Sequence, residues 1–169
     1  LNGIIQEAKG DILKAIRYYT LGAKNGLLKS KVRLGIILLK YVPNMIDTSE
    51  KLLTDATAES NRCLIDTDER KIALFFLAVI YYKKKQYTRA LTPLMELLDA
   101  DYPDAAYFIA IIYHGKNDLP NAIKYFGIAG NEFGNKAALQ IYNDLNSNTN
   151  ASSYYTYEYD YSYTSGFRQ

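Results

Sequence analysis

A self-similarity with a period of 32 residues constrains this chain more than any other feature of it. KAIRYY at 14–19 returns as NAIKYF at 121–126, the first after KGDIL and the second after KNDLP. Between them, YTRALTPL at 87–94 has Ala90 in the place held by Ala15 and Ala122. A second motif alternates with the first: LGIIL at 34–38, LAVIY at 77–81 and IAIIY at 109–113. Ala78 to Ala110 is 32 residues, and so is Ala90 to Ala122. Two motifs advancing in step by one period mark a repeated unit.

Each motif is an apolar stripe at helical spacing: Leu74, Leu77, Ala78 and Tyr81 in one, Ala90, Leu94 and Leu97 in the other. Small residues at Gly35, Ala78 and Ala110, and on the mate at Ala15, Ala90 and Ala122, let two helices approach closely. The unit is therefore an antiparallel helical hairpin. A single hairpin cannot bury both of its faces, so neighbours must stack into an all-α solenoid of about four hairpins. The punctuation agrees. Pro103 and Pro120 sit where a first helical turn accepts them, after Asp101 and Asp118. Asp47 with Glu50, and Asp66 with Glu69, have capping-box spacing. Gly10, Gly26, Gly115 and Gly134 fall in the predicted connections. Gly35 to Ala78 is 43 residues, and longer loops at YVPNMIDTSE and NRCLIDTD are expected to take up the surplus.

LAVIYYKKKQYTRALTPLMELL resembles a tetratricopeptide repeat, with Leu77, Ala78, Tyr81, Tyr87, Ala90, Leu94 and Leu97 at the family's spacing. GDILKAIRYYTLGAKNGLLKSKVRLGIIL is more similar to the related Sel-one-like repeat, through Lys14, Ala15, Tyr18, Tyr19, Ala23, Gly26, Leu34 and Gly35. The resemblance covers residues 1–145. It implies a right-handed α-α superhelix whose work is binding and scaffolding. Two departures stand out: Leu53 where an alanine is expected, and a last helix, KAALQIYNDL, without the small residue, which suits a cap.

Composition excludes little. Hydrophobic residues make up 49% and charged residues 22%, and the net charge of +2 gives no field that argues for nucleic acid or an anionic membrane. The longest apolar runs, IALFFLAVIYY at 72–82 and LGIILL at 34–39, fall short of the roughly 20 residues of a membrane helix. No signal peptide is visible, and the start at Leu1 leaves a signal, pro-segment or further repeats upstream open. The single Cys63 rules out an internal disulfide.

The residues do not read as catalytic. His114 is the only histidine, and nothing local brings it to Cys63 or to a carboxylate; closing a helix C-terminus is its simpler role. No His, Cys, Asp and Glu cluster has metal-ligand spacing, and DTDER at 66–70 suits a helix start. GIAGNEFGN at 127–135 lacks the ending of a phosphate loop, and its glycines fit a helix end. The reading is a non-enzymatic protein without metal or other cofactor. Its partners are expected to be proteins: further subunits of an assembly, or a second copy.

The resemblance implies that the first helix of each hairpin lines the concave face. Carried over position by position, this gives Lys29, Val32, Ile36 and Lys40, then Ile72, Phe75, Val79, Tyr82 and Lys83, then Asp104, Tyr107, Ile111 and His114. Such a trough suits a peptide with aromatic or acidic residues. Val32, Ile36, Ile72 and Val79 equally suit a core between helices. The family's clamp for a C-terminal carboxylate is not recognisable.

Residues 146–169 form a polar linker and a tyrosine-rich tail. Tyr155, Tyr157, Tyr159, Tyr161 and Tyr163 would share one face of an extended strand about 30 Å long, with Glu158 and Asp160 on the other. Half-burying five tyrosines removes roughly 500 Å² of surface and yields about 12 kcal/mol. Ordering ten residues costs about 15 kcal/mol. The two nearly cancel, so the tail is expected to order only on a fitted protein surface, in trans ahead of in cis. One basic residue there, Arg168, is too few for a nucleic-acid binder. The overall expectation is an interaction scaffold or adaptor, or a structural subunit. The alternative is an accessory repeat region of a larger enzyme or regulator.

Overall fold

The computed structural model describes residues 1–62 and 68–147, with backbone alone at 60–62. Cys63, Asp66 and the tail tyrosines 155, 157, 159, 161 and 163 lie outside the described residues. Among the described residues the chain is all-α, with nine α-helices and no strand. It divides into two compact units, Leu1–Lys84 and Lys85 onward.

In the first unit, α1 (Asn2–Ala8), α2 (Ile12–Lys24), α3 (Leu28–Tyr41), α4 (Ile46–Arg62) and α5 (Asp68–Lys83) each pack on the next. A 3-10 turn, Pro43–Met45, joins α3 to α4, and α3 also touches α5. The second unit is α6 (Tyr87–Asp99), α7 (Pro103–Gly115), α8 (Leu119–Asn131) and α9 (Lys136–Ser147), again packed in succession. Connections this short between touching helices make neighbours antiparallel.

The local signals recur with the repeat. Asp11 caps α2 by accepting the Lys14 backbone N–H at 3.1 Å, and Asp118 caps α8 by accepting that of Asn121 at 3.3 Å. Pro103 opens α7 and Pro120 sits in the first turn of α8, where a missing N–H leaves no bond unmade. A residue with positive φ closes the other described turns, outside the α3–α4 connection: Gly10, Gly26, Lys85, Asp101, Asn117 and Gly134. Lys85 and Asn117 stand 32 residues apart, so the period is written in the backbone as well as in the side chains.

The small positions lie where helices meet. Ala15, Ala78, Ala90, Ala110 and Ala122 are wholly buried. A Cβ on Gly35 would stand 2.8 Å from Leu53 Cγ, so the glycine in α3 makes room for Leu53 of α4. Ser49 Oγ donates to the Gly35 carbonyl at 2.6 Å across the same contact.

Three local expectations change. YVPNMIDTSE is no long loop: after the 3-10 turn, helix begins at Ile46. Asp47 and Glu50 form no capping box; both accept from Lys84 Nζ at 2.5 Å, tying the start of α4 to the end of the unit. Gly127 and Gly130 are buried in α8, where a Cβ would meet the Tyr142 ring at 3.0 Å and Leu139 Cα at 2.8 Å. Both let α9 approach closely; Gly127 is interior to α8, Gly130 lies in its last turn, and Gly134, at φ +69, makes the turn.

Candidate functional site

The first unit sets α3 beside α5. Lys29, in the first turn of α3, pairs with Glu69 at the start of α5 at 3.6 Å, so the two helices run in the same direction. Their last turns then carry Lys40 and Lys83, where cations meet the negative helix ends. Lys29, Lys40 and Lys83 are exposed and Tyr82 is half-buried. Lys40 Nζ lies 5.1 Å from the centroid of the Tyr41 ring.

Phe75 does not belong to this edge. It is wholly buried, edge-on to Phe76 at 5.9 Å between centroids, and leaves no surface to a ligand. Val32, Ile36 and Val79 are buried as well and serve as core, while Ile72 is half-buried. The cause is in α5 itself. Ala73 to Ile80 are all buried, so the helix is apolar on every side and helical position alone cannot tell groove from core.

In the second unit, Ile111 is buried in α7, and Tyr107 is half-buried with its ring 5.9 Å from that of Phe126. Asp104 lies in the first turn of α7, where its charge suits the helix dipole, and His114 lies in the last turn. Next to His114 in the chain, Tyr113 stacks on Tyr125 at 5.6 Å and 5°, with Lys116 and Lys124 lying over the two rings. Burial, and then the neighbouring Tyr125, raise the Tyr113 hydroxyl above the ordinary tyrosine range.

A second surface of the first unit escaped the sequence patterns. α1, α2 and the start of α3 enclose a cleft of about 600 Å³, lined mainly by apolar groups. Two close approaches shape it: Gly3 of α1 on the Tyr19 ring, and Gly22 of α2 on Ser30. Tyr19 donates to Glu7 Oε2 at 2.7 Å, and Arg33 stands 3.9 Å from the same oxygen. Burial first, and then Glu7, push the Tyr19 hydroxyl well above its usual range. Around the cleft the charge is uneven. Residues 1–41 hold eight Lys and Arg against only Glu7 and Asp11, a net of +6 that leaves −4 for the rest of the +2 chain. The whole-chain value concealed this basic end.

Among the described residues, no group of three or more His, Cys, Asp or Glu is placed to hold a metal ion. No helix among them is long and apolar enough to cross a membrane. The geometry offers surfaces for contact, one edge with lysines and aromatic rings and one largely apolar cleft. No protein-family model, curated protein or solved structure matches this chain.

Proposed function

We propose that this chain is a non-enzymatic helical-repeat protein that binds other protein segments, as a scaffold, an adaptor or a structural subunit of an assembly. Several features support a repeat architecture of the Sel-one-like and tetratricopeptide kind. They are the 32-residue period, the recurring Asp11 and Asp118 caps, the left-handed turn residues and the contact of α3 with α5. In such architectures alternate helices stand side by side and present a common surface. The observation that carries the reading is the α3–α5 edge, where Lys40 and Lys83 are exposed in the last turns with Tyr82, and Lys29 at the starts beside Glu69. Fixed on two packed helices, these groups offer a preorganised surface to a peptide with acidic and aromatic residues. The tyrosine segment 154–164 is a second docking element of the same protein.

Site-specific photo-crosslinking tests this. A benzophenone side chain at Lys40 should form an adduct with a discrete protein, and the same group at the exposed Thr54 of α4 should not. No adduct at Lys40, or equal labelling at both positions, would remove the α3–α5 edge as the binding surface.

A further inference from the structure

The second unit carries an aromatic and basic surface of its own, close to the end of α9. Tyr113 and Tyr125 lie ring to ring, 5.6 Å apart and nearly parallel, and both are half-buried. Met95 accepts from the Tyr125 hydroxyl at 3.7 Å, and Ile128, half-buried one turn along α8, extends the apolar strip. Lys116 and Lys124 stand exposed over the two rings, 5.8 and 5.2 Å from their centroids. Among the described residues neither lysine forms an ion pair. The Asp118 carboxylate near Tyr113 is taken up by the backbone and side-chain N–H groups of Asn121, at 3.3 and 2.8 Å. A strip of rings between two cations that lack carboxylate partners suits a guest with aromatic rings and negative charge.

The register of α9 on α8 brings such a guest within reach. Gly127 faces Tyr142 and Gly130 faces Leu139, so three steps forward on α8 are three steps back on α9. The two helices are antiparallel, and Ser147 at the end of α9 falls level with Ala122 in the first turn of α8. Tyr125, two positions before Gly127, points nearly opposite to the side that α9 covers. A chain passing half-way round α8, over the exposed Lys124, travels on the order of 25 Å, because a helix is about 10–12 Å across. Eleven residues, 148–158, lead from Ser147 to Glu158 and reach about 36 Å when extended. Every position in this path belongs to one unit.

Residues 154–164, YYTYEYDYSYT, hold six tyrosines, Glu158 and Asp160, and no basic residue. We infer that this segment folds back in cis onto the Tyr113–Tyr125 surface of its own unit, where its carboxylates meet Lys116 and Lys124. The inference rests on the docking role proposed above for the segment and adds the surface on which it docks. Tyrosine suits the contact, because its ring buries area at little entropic cost while its hydroxyl stays hydrated. The two lysines, on flexible four-carbon stems at the margins of the strip, reach carboxylates on the outer face of the segment. A tether this short holds the segment at an effective concentration of roughly millimolar, above that of a second copy in dilute solution. The geometry therefore favours a contact in cis, the reverse of the order expected from the segment alone.

Hydrogen exchange of the full chain in dilute, low-salt solution is the test, with sedimentation velocity run at the same concentrations. Amides 154–164 should exchange at least tenfold more slowly than those of a free peptide spanning 148–169. Lys116→Glu with Lys124→Glu should return them to the peptide's rate. Adding Glu158→Lys with Asp160→Lys to that variant should slow them again through the reversed pairs. Circular dichroism of the lysine variant should match the wild type, since both side chains are exposed. Exchange at the peptide's rate in the wild type overturns the inference, and the docking role falls too if a benzophenone at Tyr159 then captures no protein. Slow exchange that the lysine variant keeps means that the segment docks elsewhere: this surface falls and the docking role stands. Slow exchange seen only where sedimentation shows association overturns the contact in cis and leaves docking on a second copy.

Discussion

The two units share one sequence period, and different contacts stand out in each. In the first, polar ties cross between helices: Ser49 to the Gly35 carbonyl, Tyr19 to Glu7, Lys31 to Glu59, Lys29 to Glu69, and Lys84 to both Asp47 and Glu50. In the second, the prominent contacts are rings and glycines: Tyr113 on Tyr125, Tyr107 on Phe126, and Gly127 and Gly130 under Tyr142 and Leu139. A period in the sequence therefore fixes where helices meet and leaves open what joins them. The Lys84 cluster and Tyr19 of the first unit should therefore respond to salt or pH, and Phe126 of the second to volume.

Removing volume from the second unit should give the largest effect. Phe126 is wholly buried, and Phe126→Ala should cost about 3–5 kcal/mol in denaturant unfolding, with little dependence on salt. A cost that shrank strongly with salt would break the contrast. Adding volume to the first unit comes next. Gly35→Val drives side-chain carbon into Leu53, which is wholly buried and cannot swing away. It should cost about 1–3 kcal/mol, read from the unfolding midpoint, and Leu53→Ala in the same chain should recover part of it.

The ion pairs rank lower. The Lys84 side chain is 23% exposed and Glu50 21%, but Asp47 is 88% exposed, so solvent weakens the cluster. Lys84→Met should cost about 1 kcal/mol at low salt and close to nothing at high salt. Hydrogen bonds that Lys84 donates to Asp47 and then Glu50 raise its pKa, so its stabilisation is complete below the unfolded lysine value and is lost as pH climbs past the folded one. Tyr19 acts in the same direction. Its raised folded pKa means that stability is present below the ordinary tyrosine range and falls above it. Tyr19→Phe should lose about 1 kcal/mol at neutral pH with its bond to Glu7. Unfolding measured up to strongly alkaline pH should then show a shallower decline than in wild type.

What the sequence revealed was what repeats locally. The alternating motifs, the Asp11 and Asp118 caps and the buried alanines are set within one turn or one period, so one chain is enough to read them. Tertiary partners were not legible. Asp47 and Glu50 had the spacing of a capping box, yet their partner is Lys84, 37 and 34 residues along the chain. Phe75 passed as a groove residue because α5 is apolar on every side. The cleft was hidden for two reasons. Its wall comes from three helices, and the +6 of its neighbourhood is cancelled in the total by the rest of the chain.

Hydrogen exchange on the full chain over a range of concentrations is the most direct measurement. Amides 154–164 should be protected to the same extent at every concentration. Protection there that rises with concentration, or that is absent throughout, would contradict docking of the tail on its own unit.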